Sequence, residues 1–203
     1  MHLAFTSVVS LAVVVLALFQ LDAVQPLEWL TVPLVFLYAN LVEYFGHRGP
    51  MHHRWPGLGL VFRRHAQQHH RFFTHRDMAF DGPDDYKAVL FPPVMIIFYI
   101  GGFAVPMWLV LSVLASDNVA WLAVATGIAY FLNYEWLHYA YHCPPDSRVG
   151  RNTLVRRLRR LHRAHHDPAL MQRHNFNITY PVGDWLFGTR WKEGERLAGM
   201  EPE

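Results

Sequence analysis

Residues 119–142 read VAWLAVATGIAYFLNYEWLHYAYH, an apolar stretch that ends in two histidines, His138 and His142. About 20 residues of helix are enough to cross the hydrocarbon core of a bilayer, and this stretch has that length. Residues four apart lie on the same face of a helix, so the imidazoles of His138 and His142 can reach one metal ion. The stretch therefore predicts an apolar helix that carries a pair of metal ligands at one end.

Three other apolar stretches precede this one and complete a set of predicted spans. The four spans are residues 3–21, 27–45, 88–115 and 119–141. The third is longer than a bilayer requires, and Pro92, Pro93 and Gly101 offer places where it can bend. Only 17% of the chain is charged, against about 25% in ordinary soluble domains. The sequence predicts an all-α integral membrane protein with about four transmembrane helices; the alternative is a soluble protein whose apolar helices form a core.

The basic residues indicate how these spans are oriented. All 18 Lys and Arg residues fall in two segments, seven in residues 48–87 and eleven in residues 148–196. Because basic residues collect on the cytoplasmic side, residues 46–87 and 142–203 are predicted to form a cytoplasmic, histidine-rich helical cap. The N-terminus is then cytoplasmic too. A length of 203 residues fits a single domain over residues 1–203, and a net charge of only +2 argues against a nucleic-acid partner.

Histidine is the residue type that points to chemistry. The chain has 14 histidines and one cysteine, Cys143, which excludes a disulfide framework and a cysteine-based metal site. Ten of the histidines lie in four short groups at the predicted cytoplasmic face. The predicted metal ligands are His47, His52, His65, His69, His70, His138, His142, His162, His165 and His166. Ten imidazoles suit two metal ions rather than one, and imidazole favours iron, zinc, copper or nickel. The alternative is a loose histidine-rich tract that binds metal without an ordered site.

Four further residues are candidates for a supporting role. Glu43 and Glu135 lie inside predicted spans, close to His47 and to His138 respectively. Acidic residues inside a membrane are costly and usually functional, so we expect each carboxylate to accept the second ring N–H of a ligand histidine. Direct metal ligation by Glu135 stays open because Glu-x-x-His occurs in carboxylate-bridged di-iron bundles, and helix capping or interhelical bonding is the alternative for both. His174 is a possible ligand or supporting residue, and Asp184 bonds a histidine or caps a helix.

The sequence after the last histidine group has a distinctive pattern. Residues 175–181 read NFNITYP and residues 184–189 read DWLFGT, after HRAHH at residues 162–166. This order resembles the C-terminal signature of the fatty acid hydroxylase / sterol desaturase superfamily, and the resemblance covers residues 47–189. One departure is the group formed by His65, His69 and His70, where three residues separate His65 and His69 although much of the family has two. That spacing is also similar to the membrane alkane hydroxylases, and the His47-x4-His52 spacing to bacterial carotenoid hydroxylases.

The resemblance implies a particular chemistry. It implies a centre of two iron ions that is held by histidines and uses O2 to hydroxylate or desaturate a lipid. Zinc is a possible replacement for iron in the purified protein. The lipid implied by the resemblance is a fatty acyl, sterol or carotenoid molecule, which is expected to enter from the bilayer. The chain has no nucleotide-binding glycine motif, so a separate reductase, ferredoxin or cytochrome is expected to supply electrons. The alternative is a membrane metal-binding or metal-transport protein, but a transporter needs polar ligands deep within several spans, whereas these histidines gather at one face.

Overall fold

The computed structural model describes residues 2–192, and every regular element in that range is helical. This confirms the predicted all-α class. The end of the predicted cytoplasmic segment 142–203, which includes Arg196, lies outside the described residues.

The helices vary widely in length. In chain order the α-helices are α1 (His2–Phe19), α2 (Thr31–Gly46), α3 (Gly59–Phe62), α4 (His70–Phe72), α5 (Tyr86–Val89), α6 (Val94–Tyr99), α7 (Val105–Leu114), α8 (Asp117–Tyr141), α9 (Thr153–His165) and α10 (Val182–Leu186). Two 3-10 turns cover Glu28–Leu30 and Pro83–Asp85. Three stretches are π-helical: His47–Met51, Arg63–His69 and Ile100–Ala104.

Three helical stretches in the described part of the chain are long and apolar enough to cross a membrane. They are His2–Phe19, Glu28–Met51 and Pro83–Leu114. These correspond to the first three predicted spans. The third is interrupted at residues 90–93, which include Pro92 and Pro93, and is π-helical around Gly101, at the positions where bends were expected. The predicted fourth span, α8, is not among the three. Its last third carries Asn133, Glu135 and His138, and its crossing of the membrane stays a prediction.

Helix α8 is the centre of the bundle, with α1, α2 and α7 packed around it. Its 25 residues bury Ala120, Ala123 and Ala125, and such small side chains let neighbouring helices approach closely. The surrounding helices instead expose large apolar side chains, such as Phe19 at 82% and Val113 at 81%. The outer surface of this bundle is therefore largely apolar, as expected for helices that face lipid.

Helix α9 lies across the C-terminal end of α8. It begins at Asn152, whose side chain accepts hydrogen bonds from the backbone N–H groups of Leu154 and Val155. Its apolar residues pack against Leu137, Ala140 and Tyr141 of α8. The guanidinium of Arg159 donates to the carbonyls of Ala140 and Cys143, where α8 ends. This placement turns the histidines of α9 towards those of α8.

Candidate metal centre

Nine of the ten histidines predicted as ligands form two groups, and within each group the ligand nitrogens all lie within 4.8 Å of one another. The first group contains His47, His52, His65, His70 and His165. The second group contains His69, His138, His142 and His162. Every one of these side chains is at most 8% exposed. The structure therefore places two compact sets of imidazoles at the end of the bundle, each able to hold a metal ion.

The tenth histidine, His166, contacts both groups. Its Nε2 lies 3.1 Å from the Nε2 of His69 and 3.1 Å from the Nε2 of His162, both in the second group. Its ring stacks on His70 of the first group, with 4.2 Å between ring centroids. His166 is thus positioned beside the second group at its boundary with the first.

Two π-helical stretches explain the unusual spacing of the first group. His47 and His52 are five residues apart, as are His65 and His70, and each pair lies on or next to a π-helix. A π-helix pairs residue i with residue i+5, so residues five apart come onto the same face. The Nε2 atoms of His65 and His70 are accordingly 3.0 Å apart. The π-helical turn makes this pairing possible.

The structure divides two sets of histidines that sequence spacing had placed together. On an α-helix, the spacing of His65, His69 and His70 would bring the three rings near one face, but His69 belongs to the second group and the other two belong to the first. In α9, His162 belongs to the second group and His165 to the first. Each half of the chain therefore contributes a histidine to the group that the other half mainly builds.

The hydrogen bonds behind the rings fix which nitrogen faces the metal site. Five of the ten clustered histidines direct Nδ1 at a backbone carbonyl: His47 at Phe176, His69 at Ala88, His142 at Met78, His165 at His174 and His166 at Phe73. A carbonyl only accepts hydrogen bonds, so Nδ1 carries the hydrogen and Nε2 keeps its lone pair. All five rings are thus oriented as metal ligands.

One contact tests whether these residues fit a metal ion. The Nε2 atoms of His69 and His166 lie 3.1 Å apart, and both rings carry their hydrogen on Nδ1. Two lone pairs then face each other with no proton between them, an arrangement that a bound cation stabilises. Burial lowers the pKa of His69 to about 3 and the pKa of His165 to about 4, so both rings are neutral at pH 7, as metal ligands are required to be. The residues fit a metal centre.

The two glutamates make other bonds than those predicted. Glu43 accepts hydrogen bonds from the backbone N–H groups of Ile178 and Thr179, the Thr179 hydroxyl and the Tyr130 hydroxyl. Glu135 accepts from the backbone N–H of Phe91 at 3.4 Å, and its second oxygen has no partner in the described part of the chain. Among the described residues, neither carboxylate bonds to an imidazole. Backbone carbonyls, instead of these two glutamates, accept the second ring N–H of five of the ligand histidines.

Asp184 and His174 support the site through the main chain. Asp184 is buried in α10 and accepts hydrogen bonds from the backbone N–H groups of Phe176 at 2.9 Å and Asn177 at 2.8 Å, and from the Thr189 hydroxyl at 2.7 Å. It therefore holds the segment whose carbonyls, at His174 and Phe176, orient His165 and His47. His174 contributes its carbonyl to the site, while its ring Nδ1 contacts the Thr189 carbonyl.

Sequence reasoning missed Asn40 as a functional candidate. Its buried side chain donates to the Tyr130 hydroxyl at 3.0 Å and to the Tyr180 carbonyl at 2.8 Å, and it accepts from the backbone N–H of Gly183 at 3.1 Å. These bonds join α2, α8 and α10 around Glu43. Its position in the sequence could have identified it, because Asn40 lies inside an apolar span, one turn before Glu43. A polar residue in such a place is costly unless it is hydrogen-bonded.

Most of the chain matches a known protein family. The sequence model described as fatty acid hydroxylase matches residues 32–189. Comparison with curated proteins and with solved structures gives no significant match. The matched range contains all ten clustered histidines, Glu43, Glu135, His174 and Asp184, and it includes the signature that suggested the resemblance. The chain therefore belongs to the fatty acid hydroxylase family, within the fatty acid hydroxylase / sterol desaturase superfamily.

Proposed function

We propose that this chain is a membrane non-haem di-iron oxidoreductase that uses O2 to hydroxylate or desaturate a C–H bond of a lipid. The observation that carries the proposal is the pair of buried histidine groups with converging ring nitrogens, in a chain of the fatty acid hydroxylase family. Five imidazoles in one group and four in the other suit two metal ions rather than one. Iron is the metal that the family favours, and zinc binds the same ligand type.

The residues of the chain have two tasks in this proposal. Bound iron supplies the activation of O2 and the oxidation of the C–H bond, and the protein supplies position and environment. The Nε2 atoms hold the metal ions, and carbonyls such as those of Phe73 and Phe176 keep the rings aimed. Such supporting bonds typically matter almost as much as the ligands themselves. Burial of every ring keeps bulk water away from the reacting centre.

The position of the histidine groups supports a lipid substrate. His138 and His142 close the last turn of α8, the central helix of a bundle whose outer surface is apolar. A lipid can lie in the bilayer with its chain beside the bundle and its reacting carbon near the histidines. Fatty acyl, sterol and carotenoid lipids are the substrate classes proposed. A metal-transport function finds less support, because both groups gather at one end of α8 instead of along a path through the helices.

The decisive experiment compares the lipids of cells that express wild-type protein or His165→Ala. Cells grow under heavy-isotope O2 with candidate lipids and a reductase supplied, and membrane lipids are analysed by mass spectrometry. We expect a product with wild type and none with His165→Ala: labelled oxygen identifies a hydroxylase, and loss of two hydrogens without label identifies a desaturase. His53→Ala is the matched control, since His53 is exposed and outside both groups. An unchanged lipid profile with metal-loaded wild-type protein would refute the oxidoreductase and favour metal binding alone.

A further inference from the structure

The outer face of α9 is strongly cationic. Arg156, Arg157, Arg160 and Arg163 are all exposed on this helix. The ion pair recorded among the described residues joins Lys87 to Asp84, away from α9. No described carboxylate therefore lies within ion-pairing distance of these four guanidinium groups. We call these four residues the arginine face.

The opposite side of α9 belongs to the metal centre. His162 and His165 are buried on that side, one in each histidine group. An α-helix with its side chains is about 10–12 Å across, so the arginine face lies roughly one helix width from the imidazoles. Arg163 follows His162 directly and donates to the carbonyl of His75 at 2.7 Å, which ties the arginine face to the segment that follows His70 in the chain. A molecule bound to this face is therefore close to the metal site.

The packing of α9 favours a soluble partner over the membrane surface. A helix that binds a membrane inserts its own apolar face below the headgroups. The apolar face of α9, with Val155 and Leu158, is already buried against α8. Arg159 anchors α9 over the C-terminal end of α8, so the arginine face points away from the bundle and towards water. Unpaired positive charge that faces water attracts an acidic protein surface and accelerates its association.

We propose that the arginine face of α9 docks a soluble, acidic one-electron carrier protein of the ferredoxin class. This inference rests on the proposed function, whose chemistry requires a source of electrons. In a hydroxylation, one atom of O2 enters the product and the other leaves as water, which consumes two protons and two electrons. Two reduced ferredoxins, each oxidised by one electron, supply that pair. Docking on α9 leaves one helix, the helix that carries His162 and His165, between the carrier and both histidine groups.

The test reverses charge on the arginine face and measures binding. The variant is Arg157→Glu with Arg160→Glu, and the matched control is Arg54→Glu with Arg63→Glu, two exposed arginines of the other basic segment. The probe is a reduced plant-type [2Fe–2S] ferredoxin, titrated against the metal-loaded protein in detergent at several salt concentrations. We expect the variant to raise the Kd at least about ten-fold and to flatten its salt dependence, with the control within about two-fold of wild type.

A second readout separates this proposal from the proposed function. Lipid conversion is driven either by ferredoxin or by dithionite, a small reductant that needs no docking surface. We expect the arginine-face variant to lose ferredoxin-driven conversion and to keep both dithionite-driven conversion and its metal. If wild type converts no lipid with either reductant, the proposed function fails, while the Kd values still decide the docking proposal.

Two outcomes would overturn the docking proposal. The first is an unchanged ferredoxin Kd in the arginine-face variant; if that variant also loses co-purified phosphatidylglycerol, measured by mass spectrometry, the face binds anionic lipid headgroups instead. The second is an equal loss of ferredoxin binding in the control variant, which would show a general charge effect rather than a docking face.

Discussion

Each clustered histidine is held by what lies behind its ring. Five rings bond to backbone carbonyls through Nδ1, so their orientation depends on the path of the main chain at residues 73, 78, 88, 174 and 176. Carboxylates act one bond further out, where Asp184 and Glu43 fix the backbone of residues 176–179. A single buried carboxylate can thus control two ligands that it does not touch.

We predict that Asp184→Asn weakens metal binding about ten-fold, at the lower end of the roughly 10–100-fold loss expected when support behind a metal ligand is removed. The amide puts an N–H donor where a carboxylate oxygen accepted, so one of the N–H groups of Phe176 and Asn177 loses its partner and the segment shifts. The measurement is iron content after equilibration with a competing chelator. Asp167→Asn is the control, because the Asp167 carboxylate follows His166 in the chain but, among the described residues, accepts its side-chain hydrogen bond from the backbone N–H of exposed Ala169. Equal iron retention in both variants would contradict the role given to Asp184.

At the scale of elements, local spacing predicted the helices and the clustered histidines but not how the histidines are shared. The spacing of His138 and His142 is α-helical and was interpreted correctly as a pair within one group. The pairing of His65 with His70 depends on a π-helical turn, which rules for α-helical spacing do not include. The partner of Glu43 was also unpredictable, because Thr179 is 136 residues away in the chain. Long-range packing therefore determines the assignment of histidines to groups and the partners of Glu43, which local sequence does not predict.

The close contact between α10 and α2 fixes the position of α10 in this packing. A Cβ added to Gly183 would lie 2.8 Å from both Cβ and Cγ of Tyr44 and 2.8 Å from the side-chain oxygen of Asn177. Helix α10 approaches α2 this closely only because residue 183 has no side chain. Tyr44 is fully buried, so its ring has little room to move.

We predict that Gly183→Ala destabilises the protein by about 1–3 kcal/mol, the usual cost of overpacking. Moving α10 also displaces Asp184, so we expect iron to be lost at a lower chelator concentration. Thermal unfolding in detergent measures the first effect. Gly46→Ala is the control, because a Cβ at Gly46 meets nothing within 4 Å and alanine favours the helix. A variant as stable as this control would show that α10 can shift without cost.

For the whole molecule, the metal centre depends on both halves of the bundle. His69 comes from the first half but joins the group of His138 and His142, while His165 comes from the second half and joins the group of His47 and His52. Neither group is complete until the two halves pack together. The opposite end of the bundle is also joined across the halves, because Glu28 bonds to Ser116 and Asn118.

The contacts at the two ends of α8 indicate that this helix extends over the full depth of the bundle. Its N-terminus contacts the turn between α1 and α2, and its C-terminus contacts His69. Its 25 residues, at about 1.5 Å each, exceed the bilayer thickness of about 30 Å. We therefore predict four crossings, with the turns at Asp22 and Asp117 outside and both basic segments inside, as the distribution of Lys and Arg indicates.

The measurement is labelling of intact cells with a membrane-impermeant maleimide, in a Cys143→Ser background that removes the one native thiol. We expect Asp22→Cys and Asp117→Cys to be labelled from outside, and Arg54→Cys and Arg151→Cys only after the membrane is permeabilised. All four positions are exposed in the folded chain, so access depends on the membrane alone.

Labelling of Arg151→Cys from outside, with Arg54→Cys protected, would mean that α8 does not cross the membrane. The histidines of α9 would then lie on the opposite side of the membrane from His47, which the shared group of His47 and His165 does not allow. Four crossings are the topology that lets both halves of the chain reach one metal centre.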